Sequence, residues 1–230
     1  MSEAEGASGA GESVARPAYN RTERRWPTSL AVLVAIGLQV GTPSRGRLPG
    51  WWVFPALEFV VLVLLIAVDP GRVDDRSTRA RRITIGLITV MTAATVGGLF
   101  VLLYDILQGT PLTATTLLGR GAALWLTNII VFSLWYWELD RGGPAERGVG
   151  SKVPPSFAFP EDAMPEFAAS GWTPKYPDYL YLAFTNSTAF SPTDTLPVVT
   201  WAKMTMMLQS AVSLVTAVLV LARAINVLPG

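Results

Sequence analysis

Two groups of side chains in this 230-residue chain could do chemistry, and both are built from oxygen and amide groups. The first is the run 184–194, in which Thr185, Asn186, Ser187, Thr188, Ser191, Thr193 and Asp194 crowd hydroxyls, an amide and a carboxylate together. Set at membrane depth, such a run suits the passage or sensing of ions, because polar backbone and side chains are tolerated there only where protein buries them or where they line water. The second is Glu58, the one carboxylate well inside an apolar stretch. A charge at the centre of a membrane helix costs about 2.5–3.5 kcal/mol. Glu58 therefore reads in two ways. It is a proton relay, ion contact or partner for a basic side chain, or it is a protonated carboxyl hydrogen-bonded to a neighbouring helix, for instance to Asn128 or Gln209. Pro55, three residues earlier, lacks a backbone donor and predicts a kink just before Glu58. Arg223, near the end of the last apolar block, is expected to snorkel to the headgroups, with an ion pair to Asp105 as the other reading.

Other chemistry is closed off by composition. The chain has no His and no Cys, which removes disulfides, thiolate nucleophiles, Cys/His metal sites and a His general base. Ser191 has no His to activate it, and Lys203 would be the sole candidate base, so no enzyme is expected. No cofactor and no metal centre are expected either. A formal net charge of +1 selects no partner, and a pI near 8.0 is too low for the basic stripe of a nucleic-acid binder. Glu138 and Asp140, beside the turn Arg141-Gly142-Gly143, could hold a divalent cation or pair with the arginines of 72–82. Salt-bridged helix termini are the commoner outcome. Glu161, Asp162 and Glu166 read as solvated charge.

The elements that must position these groups are membrane helices. Half of the residues are hydrophobic and 15% are charged, against about 25% charged in an ordinary soluble domain; the mean hydropathy is +0.39. A membrane helix needs about 20 mostly apolar residues, and residues 51–68, 83–104, 121–137 and 198–222 approach or meet this. Residues 28–40 are shorter but cross if Trp26 and Pro27 sit at the interface and tilt is small. No small-x-small cleavage site follows them, which favours retention over a cleaved signal. The tail 1–25 is expected to be disordered. Residues 138–176 form a loop, broken by seven prolines from Pro144 to the adjoining Pro177 and studded with Phe157, Phe159, Phe167 and Trp172. Such a loop packs back onto its own protein or rests at the headgroups. Trp51-Trp52, Trp135-Tyr136-Trp137 and Trp201 sit at block ends, as interfacial belts do. Small residues four apart, Ala93/Gly97, Ala94/Gly98 and Ser213/Ala217, permit close helix contacts within the chain or between chains.

Five crossings would put fourteen basic residues on one side: Arg16, Arg21, Arg24, Arg25, Arg72, Arg76, Arg79, Arg81, Arg82, Arg141, Arg147, Lys152, Lys175 and Lys203. The other side would have Arg45, Arg47, Arg120 and Arg223. The positive-inside bias then predicts a cytoplasmic N-terminus and an outside C-terminus. The fold class expected is all-α: a polytopic bundle of about five transmembrane helices, residues 26–137 supplying four, with residues 177–230 adding a re-entrant or interfacial half-helix and the last crossing.

The half-helix from Tyr179 to Phe190, the hydroxyl-rich turn and the long apolar helix have the layout of a pore loop. The stretch Phe184-Thr-Asn-Ser-Thr-Ala-Phe-Ser-Pro-Thr-Asp194 resembles the pore helix and filter of potassium-channel-type ion channels. In that likeness Thr188 matches the threonine before the filter, Asp194 the aspartate that closes it, and 179–184 the aromatic pore helix; 121–137 stands for the outer helix. Ala189, Ser191, Pro192 and Thr193 occupy the filter threonine, first glycine, tyrosine and second glycine, so both filter glycines are absent. Charge counting also puts the loop on the arginine-rich side, whereas in those channels it dips from outside. The whole chain resembles a group of uncharacterised bacterial, chiefly actinobacterial, polytopic membrane proteins through Trp135-Tyr-Trp-Glu-Leu-Asp-Arg-Gly-Gly143 and the 184–194 run, which implies a shared fold. The function expected is an ion-conducting or ion-sensing pore-loop protein of the cell membrane, with lipid and further copies of itself as partners; the alternative is a non-transporting structural or scaffold protein.

Overall fold

The computed structural model describes residues 26–42, 52–68, 78–148, 152–169, 171–189 and 194–227. Among them run eight α-helices: α1 (Trp26–Gly41), α2 (Val53–Val68), α3 (Thr78–Leu107), α4 (Ala114–Leu139), α5 (Pro144–Gly148), α6 (Pro160–Ala163), α7 (Tyr176–Ala189) and α8 (Thr200–Val227). Two short strands, β1 (Phe157–Ala158) and β2 (Leu196–Pro197), pair antiparallel. Each apolar block of the sequence forms a helix, and the short amphipathic run forms α7.

Three helices, α3, α4 and α8, are long and apolar enough to cross a membrane. Helices α1 and α2 have 16 residues each, roughly 24 Å of rise against a hydrocarbon core of about 30 Å. Helix length alone therefore supports three crossings, fewer than the five expected. Pro55 does not kink α2. It lies in the first turn, where its missing N–H is one that no helical carbonyl would have bonded.

Helix α4 is the axis of the molecule. In its apolar window 61% is buried, against 28% for α3 and for α8. The sequence marks this, since α4 carries Asn128 and Ser133 among its apolar residues and both are buried. Helices α1, α3, α7 and α8 all pack on it, and α2 packs on α1 and α3. One pocket is lined by the N-terminal halves of α1 and α3 (Thr28, Val32, Thr84, Leu87) and the C-terminal halves of α2 and α4 (Leu65, Leu134). These four helices therefore alternate in direction.

Helix α8 runs antiparallel to α4. Gly121 lies against Val220, while Asn128 bonds Ser213 and Tyr136 bonds Gln209. The Gly121 contact is so close that a Cβ there would sit 2.7 Å from the Val220 methyls. Gly98 of α3 faces Leu124 in the same manner, so Gly98 and Ser213 serve contacts within the chain.

The aromatic loop folds back onto the bundle end. The Phe157 ring meets Tyr136 at a tilt (ring centroids 5.0 Å) and Trp201 edge-on (5.7 Å), and Phe159 meets Tyr179 edge-on (5.4 Å). Phe167 alone of the four aromatics named above stays mostly exposed. Trp52 is exposed as a belt residue would be, but Tyr136 and Trp137 are buried in the core. Their neighbours are the loop and α7, which cover this end of α4.

Candidate pore-loop site

Helix α7 starts where α4 stops. Tyr176 meets Ser133 (O···O 3.0 Å) and the Trp137 ring, and Tyr179 donates to Asp140 Oδ2 (2.6 Å). Further along, Phe184, five residues before its last, meets the Trp125 ring edge-on (6.0 Å). Helix α7 has 14 residues against 26 in α4, so it is about half as long. The chain then returns to the end it left. Leu196–Pro197 pairs with Phe157–Ala158, Val198 N–H donates to Ser156 O (2.9 Å), and Ser156 N–H donates to Asp140 Oδ1 (2.7 Å). From there α8 runs the full length of α4.

The polar residues of α7 divide between two faces. Tyr176, Tyr179, Leu182, Ala183, Asn186 and Ser187 are buried, a stripe at helical spacing. Asn186 Nδ2 donates to Met206 O (3.0 Å) and Gln209 Oε1 (2.8 Å), and Asn186 Oδ1 accepts from Ser210 Oγ (3.1 Å). Ser187 Oγ accepts from Gln209 Nε2 (2.8 Å). On the other face, Thr188 is exposed and Thr185 half-buried. Both donate to carbonyls of α7 itself: Thr185 to Tyr181 and Leu182, Thr188 to Phe184 and Thr185. Asp194 is exposed. Ser191 and Thr193 lie outside the described residues.

Gln209 joins α4, α7 and α8. Its Oε1 accepts from Tyr136 (2.6 Å) and Asn186, and its Nε2 donates to Ala183 O (2.8 Å) and Ser187. Two lone pairs and two N–H groups are all that a primary amide has, and all are used. The residue is 0% exposed. Ala183 O also decides which way round the amide sits, because only the NH2 end can face a carbonyl.

Asp140 anchors the end of the site. It is buried and accepts from Ser156 N–H, Tyr179 Oη and Arg141 Nε (3.3 Å). Arg147 donates to Trp137 O (2.7 Å) and Asp140 O (2.9 Å), with its guanidinium 5.0 Å from the Tyr179 ring centroid. Burial raises the Tyr179 phenol well above its ordinary pKa; Arg147 opposes that shift and Asp140 adds to it. The phenol therefore stays a donor at neutral pH. Glu138 pairs with Arg81 (3.3 Å), the pairing with the arginines of 72–82 that was one of the readings of the sequence. Asp162 receives Arg141 and caps Phe159 N–H.

The other two charged candidates, Glu58 and Arg223, lie elsewhere. Glu58 meets neither Asn128 nor Gln209; its partner is Gln39 of α1. Arg223 is half-buried near the end of α8. Asp105, the carboxylate that it was set against in the sequence, is held by Arg120 at 2.6 Å. Sequence reading missed Tyr136, Gln39 and Arg120 as partners. The signal for Gln209 was present, as an amide in an otherwise apolar helix. Comparison with family models, curated proteins and solved structures finds no match for this chain.

Proposed function

We propose that this chain is a membrane protein of five crossings whose α7 and following segment form a re-entrant pore loop, and that several copies assemble around an axis to conduct or sense ions through residues 188–194. One observation carries the reading: α7 starts at the end where α4 stops, is about half as long as α4, and the chain comes back to the same end before α8 begins. Helix carbonyls at a C-terminus carry partial negative charge, and α7 ends directly ahead of Ser191 and Asp194. Thr188 and Asp194 are both exposed in the single chain. The short α1 and α2 cross by thinning the bilayer locally, anchored by Trp26 and Trp52, both mostly exposed. The loop enters from the arginine-rich, cytoplasmic side.

Ion flux in reconstituted liposomes tests this reading. Purified protein is expected to pass a monovalent cation down an imposed gradient, and Thr188→Trp to abolish flux while still inserting. Absence of flux from the unaltered protein under every gradient tried sinks the conducting role. A second reading is favoured by a specific observation: Asn186 and Ser187 are turned inward on Gln209 and consumed as packing. In that reading α7 is a structural wedge in a non-transporting scaffold protein, and Thr188→Trp changes nothing.

A further inference from the structure

Glu58 is the one ionisable side chain of α2, and it is 0% exposed. Leu57 and Phe59 on either side face outward, so the carboxyl is directed into the bundle. There Gln39, third from the end of α1, gives Nε2 to both carboxyl oxygens, at 3.0 and 2.9 Å. Gln39 itself is half-buried. Two helices pack on α2. Helix α1 has no titratable or charged side chain. Helix α3 has Arg79, Arg81 and Arg82 in its first five residues and Tyr104 and Asp105 in its last four, with none between. Arg81 is engaged by Glu138 and Asp105 by Arg120. No basic side chain among the described residues meets Glu58.

The chemistry of the partner is informative. A lysine or arginine would favour only the ionised carboxylate. A primary amide serves both forms: its NH2 donates to a carboxylate, and turned over, its carbonyl oxygen accepts from a protonated carboxyl. A buried carboxylate without a cation is costly, so this pair is suited to exchanging a proton and poorly suited to holding a fixed charge. We propose that Glu58 and Gln39 form a proton-binding site, in which the Glu58 carboxylate takes up one proton from water and returns it, with the Gln39 amide reorienting between the two forms. The site stands apart from α7 and does not rest on the pore-loop reading.

The test uses the full chain in lipid vesicles and the apolar reagent N,N′-dicyclohexylcarbodiimide. A protonated carboxyl adds across one C=N bond, its proton going to nitrogen and its oxygen to the central carbon. The O-acylisourea then rearranges in place to a stable N-acylurea, with nothing expelled. Peptide mass spectrometry is expected to find the adduct on Glu58, with a yield that falls at least about tenfold between about pH 6 and about pH 9. Gln39→Lys, which places a cation beside the carboxyl, is expected to cut the yield at least about tenfold at the lower pH. No adduct on Glu58 in the unaltered protein, a yield flat across that pH range, or a folded Gln39→Lys protein labelled as well as the unaltered one overturns the proposal. Where Gln39→Lys does not fold, the pH series on the unaltered protein decides.

Discussion

Gln209 spends all of its hydrogen-bonding capacity on three helices, whereas Tyr136 contributes one bond to the same cluster. That asymmetry sets the expected costs of removing them. Gln209→Leu strands the Tyr136 hydroxyl, removes the second bond of the Ala183 carbonyl, and takes a partner from Asn186 and from Ser187. A loss of roughly 1–3 kcal/mol is expected, the cost of leaving buried polar groups unsatisfied. Tyr136→Phe leaves Gln209 Oε1 still bonded to Asn186, and a loss of about 0.6 kcal/mol is expected, typical of one interhelical bond in a membrane protein. Equilibrium unfolding in detergent measures both. Equal losses would show that the cluster has no hub. Glu58 is the contrasting residue: among the described residues it has one hydrogen-bond partner, an amide, and that pairing is local to α1 and α2.

Between elements, the closest approach is α4 on α8. Gly121 admits Val220 because it has no Cβ, and the helices meet there without a hydrogen bond to hold them. Gly121→Ala is expected to cost about 1–3 kcal/mol through overpacking, and Val220→Ala in the same chain to recover a good part of it. Thermal unfolding of the single and double variants checks this; simple addition of the two losses would mean the helices do not touch at that level. The helices themselves were legible, because unbroken apolar runs between charged and proline-rich stretches leave no other structure available at membrane depth. The centrality of α4 was legible only in part. Its apolar window is the least hydropathic of the three long helices, 1.5 against 2.1 for α3 and 1.9 for α8, and with Asn128 and Ser133 this hinted that lipid does not surround it. The loop's return to the bundle was one of the two readings that Phe157 and Phe159 allowed, and the residue that ties it down, Asp140, read in sequence as a cation ligand or part of a salt-bridged helix terminus.

For the whole molecule the open quantity is the number of crossings. Charge distribution and the alternation of α1 to α4 agree on an N-terminus at the end where α4 stops and a C-terminus at the other. A C-terminal reporter active only outside the cell is expected to be active, and one active only in the cytoplasm to be silent. The reverse result would mean an even number of crossings or the opposite orientation, and either would overturn the topology drawn from the charges; three crossings and five place the C-terminus on the same side.

Sequence by itself determined the material of this protein: apolar blocks long enough for helices, the half-length α7 before the last of them, and a chemistry confined to carboxylates, hydroxyls and amides by the absence of His and Cys. These are local properties, set by side-chain type over a window no longer than one helix. Only the tertiary structure decided which polar groups meet. Glu58 and Gln39 are 19 residues apart, Asn186 and Gln209 are 23, and Tyr136 and Gln209 are 73. Each is a buried amide or acid that any of several helices could have satisfied. The choice was made by how the helices pack, because a polar group taken out of water must bond to whatever the packing brings within reach.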